Sequence, residues 1–203
     1  VADRQLLVAS RNAKKLAELR RVLAEHDIAG ITIVGLDEIP PFPEAPETGA
    51  TFADNALIKA RDGAKASGLP CVADDSGIEV DALNGMPGVL SARWSGRHGD
   101  DAANTALLLG QIADVPEERR TGRFVSVCAL VLPDGDEIVV RGEWPGVIVD
   151  APRGGGGFGY DPVFLPDDAD RTSAELTPAE KDARSHRGRA LKQLVPALRA
   201  LAG

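Results

Sequence analysis

Two carboxylates stand side by side in VADDSG (72–77), Asp74 and Asp75, and a third, Glu47, opens ETG (47–49). Adjacent carboxylates repel and are costly to bury without a partner, so either a cation or water must lie beside them. Oxygen donors of this kind suit Mg2+, which is ordinarily held by one or two carboxylates together with substrate phosphates. The other reading of Asp74 and Asp75 is a turn pair where a strand ends. Ser76 and Gly77 favour a tight turn on either account.

Four further stretches carry groups that could meet a polyphosphate or a base. SRNAKK (10–15) lies between a strand and a helix. A helix N-terminus offers unpaired N–H groups and the positive end of a dipole, Ser10 and Asn12 add polar groups, and Lys14 and Lys15 add charge. The alternative is an ordinary N-cap followed by solvated lysines, and the segment lacks the GxxxxGK[ST] pattern of a P-loop. Asn55 and Lys59 are one helical turn apart, on a phosphate-reaching face or a merely solvated one. GGGGFGYDP (154–162) lets backbone approach a ligand closely, with Phe158 and Tyr160 as flat stacking surfaces, or is a flexible surface loop. EKDARSHRGRA (180–190) gathers Lys181, His186, Arg187 and Arg189. An arginine fork can read a carbonyl or a phosphate, whereas His186 taken singly reads as structural. Phosphate donors, a metal site, a stacking surface and a reader of base edges together describe a nucleoside triphosphate as ligand.

These groups must be positioned by a fold of ordinary globular make-up. The chain has 203 residues, 43% apolar and 27% charged, enough for one domain spanning 1–203 or two lobes around a shared core. A formal charge of −8 argues against a broad nucleic-acid-binding surface but permits a local positive pocket for a small anion. No apolar run approaches the length of a membrane span and no charged start leads into an apolar signal segment, so a cytoplasmic protein is expected. Cys71 and Cys128 read as buried thiols of a reducing compartment, and neither they nor the three histidines show zinc-site spacing.

Apolar periodicity predicts strands over 5–10, 31–36, 70–74 and 123–132, a hairpin from 123–132 through PDGD into 137–144, and an extension over 146–150. It predicts helices over 12–26 with Asn12 as cap, 51–68 with Thr51 and Gly68 as its ends, 101–115, and 177–198 with a break near Ser185 or Gly188. In the second helix Ala53, Ala56, Leu57, Ala60 and Ala64 form the expected buried stripe, and Asn55, Lys59 and Asp62 a polar one. The stretches 40–49, 77–96 and 151–162 read as loop. Helices interleaved with strands, plus one hairpin, give an α/β class with a mixed sheet.

SRNAKKLAEL, ETGATFADNALIKA, ADDSGIEVDALNGMPGVLSARWSG, GGGGFGYDPVF and TSAELTPAEKDARSHRGRAL, in that order, closely resemble the inosine/xanthosine triphosphate pyrophosphatase family over about residues 6 to 192. The resemblance implies an elongated α/β structure, two lobes around a long mixed β-sheet with a central nucleotide cleft. It implies a homodimer that uses Mg2+ to hydrolyse ITP, dITP and XTP to the monophosphate and pyrophosphate, cleansing the nucleotide pool. Carried over by motif, Ser10, Arg11, Asn12, Ala13, Lys14 and Lys15 match the triphosphate-binding segment. Asp75 matches the proton acceptor and a metal ligand, Glu47 a second metal ligand, and Ser76 a substrate contact. Phe158, Gly159, Tyr160, Asp161, Lys181, His186 and Arg187 match nucleoside-binding positions, and Asn55, Lys59 and Asp74 fall in the same site. Lys14, Asp182 and Trp94 depart from the residues frequent at their positions. Two rivals are a pyrophosphatase of the same broad fold acting on modified pyrimidine triphosphates, whose first loop is arginine-rich unlike SRNAKK, and a non-catalytic nucleotide sensor, which would not need carboxylates beside a polyanion.

Overall fold

A computed structural model of the chain describes residues 3–203. Its first third alternates strand and helix: β1 (Arg4–Val8), α1 (Ala13–Glu25), β2 (Ile31–Gly35), α2 (Phe52–Ser67) and β3 (Cys71–Val80). β1 pairs in parallel with both β2 and β3, so α1 and α2 are crossover helices. Then come α3 (Asp101–Gln111), β4 (Thr121–Val131), β5 (Glu137–Ile148), β6 (Phe164–Pro166), α4 (Pro178–Arg184) and α5 (His186–Ala202). The sheet order is β2-β1-β3-β4-β5-β6, and β6 runs antiparallel to β5, so the sheet is mixed.

The described chain gathers into two compact units, one of residues 3–75, 126–142 and 187–203, the other of 76–125 and 143–186. In the first unit, Leu6 and Val8 of β1, Leu19 and Val22 of α1 and Leu130 of β4 are buried with Leu191, Leu194 and Leu198 of α5. Those last three recur at helical spacing, so α5 owes its place to one apolar stripe. In the second unit Ile78 and Val80 of β3, Leu108 of α3, Phe124, Trp144 and Phe164 form the core. Phe124 and Trp144 meet Phe164 edge-on, at 4.6 and 5.7 Å between ring centres.

Helix ends follow local chemistry. The Asn12 side chain caps α1 by accepting from the Lys14 N–H, Thr51 and Asp54 form a capping box on α2, and Gly68 closes that helix with φ of 69°. Thr177 and Glu180 box the start of α4, with Pro178 in its first position, and the break from α5 falls at Ser185.

Four expectations change. β3 does not stop at Asp74 in a tight turn but continues to Val80, because Ile78 and Val80, both fully buried, alternate into the core of the second unit. The rest of 77–96 is loop with short 3-10 turns, as expected. α3 ends at Gln111, where the Val115 N–H turns back to the Ile112 carbonyl in a tighter bond. The two stretches predicted at 137–144 and 146–150 are one continuous strand, β5, which ends at Ile148, and the short β6 is additional. Finally, Asn55 does not belong to an exposed polar stripe: it is 1% exposed, on the packed side of α2.

Candidate active site

In the first unit the continuation of β3 resolves the paired aspartates. Successive strand residues point to opposite faces, so Asp74 and Asp75 do not confront each other, and each finds its own partners. Asp74 is buried and accepts from Lys15 Nζ at 2.6 Å, with Arg187 Nε 3.5 Å from its other oxygen. Burial pushes its carboxyl up, but the Lys15 ammonium and the Arg187 guanidinium outweigh that and hold it down at about 2. Arg187 also donates to Glu18 and, at 3.2 Å, to the Lys15 carbonyl. One guanidinium thus ties α5 to α1 and to the middle of β3.

Asp75 looks toward α2. Lys59 Nζ lies 3.5 Å from Asp75 Oδ1 and 2.9 Å from Glu47 Oε1, so the two carboxylates converge on one ammonium. Burial raises the Asp75 carboxyl above its ordinary value, opposed by Lys59 and by the Asn55 amide, and Glu47 adds to the rise. For Lys59, burial works against the charge, but Asp75 and Glu47 prevail and the ammonium is strengthened.

Asn55 connects the two carboxylate-bearing segments. Its Nδ2 donates to Asp75 Oδ2 at 3.0 Å, and its Oδ1 accepts the Gly49 N–H at 2.8 Å. Gly49 approaches so closely that a Cβ there would lie 2.7 Å from Asn55 Oδ1. The irregular segment carrying Glu47 is pinned at two more points: Asp62 Oδ2 accepts the Ala45 N–H at 2.7 Å, and Arg11 pairs with Glu44. Ser10 Oγ accepts the Asn12 N–H at 3.1 Å, while Arg11, Asn12, Ala13 and Lys14 are exposed at the start of α1.

The second unit holds the other sequence-predicted groups: Ser76, Phe158, Gly159, Tyr160, Asp161, Lys181 and His186. Of the two rings expected to stack a ligand, only Phe158 is offered to solvent, at 75% exposure. Tyr160 is packed in the core with its hydroxyl donating to the Ser91 carbonyl at 2.8 Å. Asp161 is 2% exposed, paired with Lys181, and accepts the Phe158 N–H at 2.8 Å. Lys181 Nζ stands 4.9 Å from the centre of the Phe158 ring. The His186 ring stacks on Phe124 at 5.1 Å. Arg187, though next in sequence, belongs to the first unit and spends its donors there.

Glu18, Glu44, Asp62 and Asp101 are among the polar groups at these sites that sequence reasoning passed over as functional. Glu18 lies one turn after Lys15 on α1, a spacing that could have flagged it. Asp62 shares the polar stripe of α2 with Lys59, which gives it no functional mark, and nothing local marks Asp101.

Among the described residues, no three His, Cys, Asp or Glu side chains gather into a metal cage. Glu47 and Asp75, both facing the position of one cationic group, instead form the sparse oxygen donor set that fits Mg2+ bound with phosphates and water.

Residues 6–197 match the Ham1 family. A relative from Nocardia farcinica named dITP/XTP pyrophosphatase is 73% identical over 198 residues, covering 98% of this chain and 96% of its own. A crystal structure from Mycobacterium abscessus, described as a nucleoside-triphosphatase / dITP/XTP pyrophosphatase, is 66% identical with a TM-score of 0.83 and covers 96% of this chain and 100% of that one. A HAM1 protein from Coxiella burnetii, 41% identical, superposes with a TM-score of 0.88 over 96% of this chain and 98% of its own. With the motifs, the alternation of strands and crossover helices and these relatives in agreement along nearly its whole length, the chain belongs to the Ham1 family.

Proposed function

We propose that the chain is a Mg2+-dependent nucleoside-triphosphate pyrophosphatase that cleaves dITP, ITP and XTP to the monophosphate and pyrophosphate, removing non-standard purines from the nucleotide pool. The observation that carries this reading is the convergence of Glu47 and Asp75 on Lys59, on the same unit as the Lys15–Asp74 pair. The names of the relatives support the substrate class.

When bound, Mg2+ supplies charge neutralisation at the phosphate oxygens. Lys15, Lys59 and the N–H groups opening α1 attract the triphosphate and stabilise charge that builds during transfer. Asp75 takes a proton from the attacking water. A bond then forms between the water oxygen and the α-phosphorus, the bond to the bridging oxygen breaks, and pyrophosphate departs with that electron pair. Asp74 is the poorer base, because Lys15 and Arg187 hold its carboxyl at about 2, far below neutral pH. Its role is to fix Lys15 and Arg187.

Phe158 stacks the purine, and Lys181 beside its ring donates to the 6-oxygen of hypoxanthine or xanthine. Adenine presents an amino donor there, and a donor facing a donor costs about 1–3 kcal/mol. Arg187 and His186, matched by motif to nucleoside contacts, act on this reading through Asp74 and through packing on Phe124. We further propose a cytoplasmic homodimer, for which light scattering on the purified chain gives the mass.

Pyrophosphate release from dITP, XTP, ITP, GTP and ATP, with and without Mg2+, tests the function. ATP turnover comparable to that of ITP, or activity that survives without divalent ions, refutes it. Asp75→Asn is predicted to reduce release to background. Retention of most activity would remove Asp75 from its assigned role.

A further inference from the structure

The ring of Phe158 sits at the end of a glycine run in which Gly154, Gly157 and Gly159 have φ of 82°, 74° and 59°. Such a segment has more backbone freedom to lose than any other, so a fixed ring on it needs pins. Asp161 supplies one, through the Phe158 N–H; it is itself held by Ser173 Oγ at 2.7 Å. The other comes from a distant element. The Gly159 N–H donates to Asp101 Oδ2 at 2.7 Å, and the Gly159 carbonyl accepts from Thr105 Oγ1 at 3.3 Å.

Asp101 and Thr105 are four residues apart on α3 and therefore share a face. Together they grip the backbone on both sides of the Gly159 α-carbon. The helix that bears them is well anchored. Leu108 is fully buried, and Asn104, 1% exposed, accepts the Ser95 N–H at 2.7 Å and donates to the Ala92 carbonyl at 3.2 Å.

We infer that Asp101 and Thr105 are positioning residues that fix Phe158 as the purine platform, so that α3 sets affinity for the base through the Gly159 backbone. The inference rests on the proposed stacking role of Phe158. Its signature is a loss of substrate binding without a loss of chemistry, because the phosphate-handling groups lie elsewhere in the sequence.

Steady-state kinetics with dITP test it, using the unaltered chain, Phe158→Ala, Asp101→Ala, Asp101→Asn, Thr105→Val and the Asp101→Ala/Phe158→Ala double variant. Asp101→Ala is expected to raise KM about tenfold, the scale of one lost charge-assisted hydrogen bond, with kcat within about twofold. Asp101→Asn keeps an oxygen that can accept the Gly159 N–H and should restore KM. The double variant should be no worse than Phe158→Ala, since a pin has no value once the ring is gone. An unchanged KM in Asp101→Ala while Phe158→Ala raises it overturns the inference and leaves the platform standing. A failure of Asn to rescue, or a fall in kcat at constant KM, overturns it as well. No effect of Phe158→Ala removes the platform itself. Should Asp101→Ala not fold, Thr105→Val is judged by the same KM and kcat criteria.

Discussion

Asn55 shows how much one buried amide can carry. Its two hydrogen bonds fix the Asp75 carboxylate and the Gly49 backbone two residues beyond Glu47. Asn55→Ala strands the partly buried Gly49 N–H and frees both carboxylate segments, so a stability loss of about 1–3 kcal/mol is expected in urea titration, with at least a tenfold fall in pyrophosphate release. Asn55→Asp should lower activity further than Asn55→Ala, because the amide donor now 3.0 Å from Asp75 would become a second carboxylate. The sequence places Asn55 beside Lys59 on a polar stripe of α2, phosphate-reaching or merely solvated, and not in the packed interior. Its burial follows from Asp75 and Gly49 turning toward it, and neither direction is encoded locally. The thiols were more legible. Cys71 and Cys128 are free and buried, and burial pushes each up to about 12 from 9.0. The folded chain keeps these protons when the unfolded one has lost them. The stability they confer is therefore complete below about pH 9 and erodes as pH rises toward 12. The Tm of Cys71→Ala/Cys128→Ala should fall less steeply than that of the unaltered chain between those limits.

Among the elements, the helices were readable where their ends carry their own chemistry: Asn12, Thr51 with Asp54, Gly68, and Thr177 with Glu180 all act within four residues of the backbone groups they satisfy. β3 was not, because Asp74 to Gly77 has the composition of a turn while its actual conformation depends on Lys15, Lys59 and the second core. α2 packs closely on the strands beneath it. A Cβ at Gly63 would lie 2.5 Å from Cys71 Sγ and 3.1 Å from Leu7 Cδ2. Gly63→Ala is thus predicted to cost about 1–3 kcal/mol despite the better helix propensity of alanine. Gly110, near the end of α3, has nothing within 4 Å of such a Cβ, and Gly110→Ala should stabilise by about 0.4–1 kcal/mol. Paired urea denaturation of the two variants separates packing from propensity.

At the scale of the whole molecule, the chain leaves one compact unit for the other after residues 75, 125, 142 and 186. The first three departures fall inside β3, β4 and β5 rather than in linkers. Linear reading finds domain boundaries from loops and composition shifts, so these crossing points leave no trace in the sequence. The α/β class did, through alternating strand and helix periods. So did the Asp75, Glu47 and Lys59 positions, because their motifs are local. No described helix is long and apolar enough to cross a membrane. With a formal charge of −8, the molecule as a whole repels a polyphosphate, and attraction must come from the few cations at the site.

The ammonium between Glu47 and Asp75 reaches further than the site. The polypeptide brings its own counter-ion to the spot where acidic groups would otherwise drive each other apart, so it need not borrow one in order to fold. Stripping divalent ions with EDTA should therefore halt turnover and leave the Tm in place. A drop of several degrees in a thermal melt would mean that the resting protein leans on a bound metal after all.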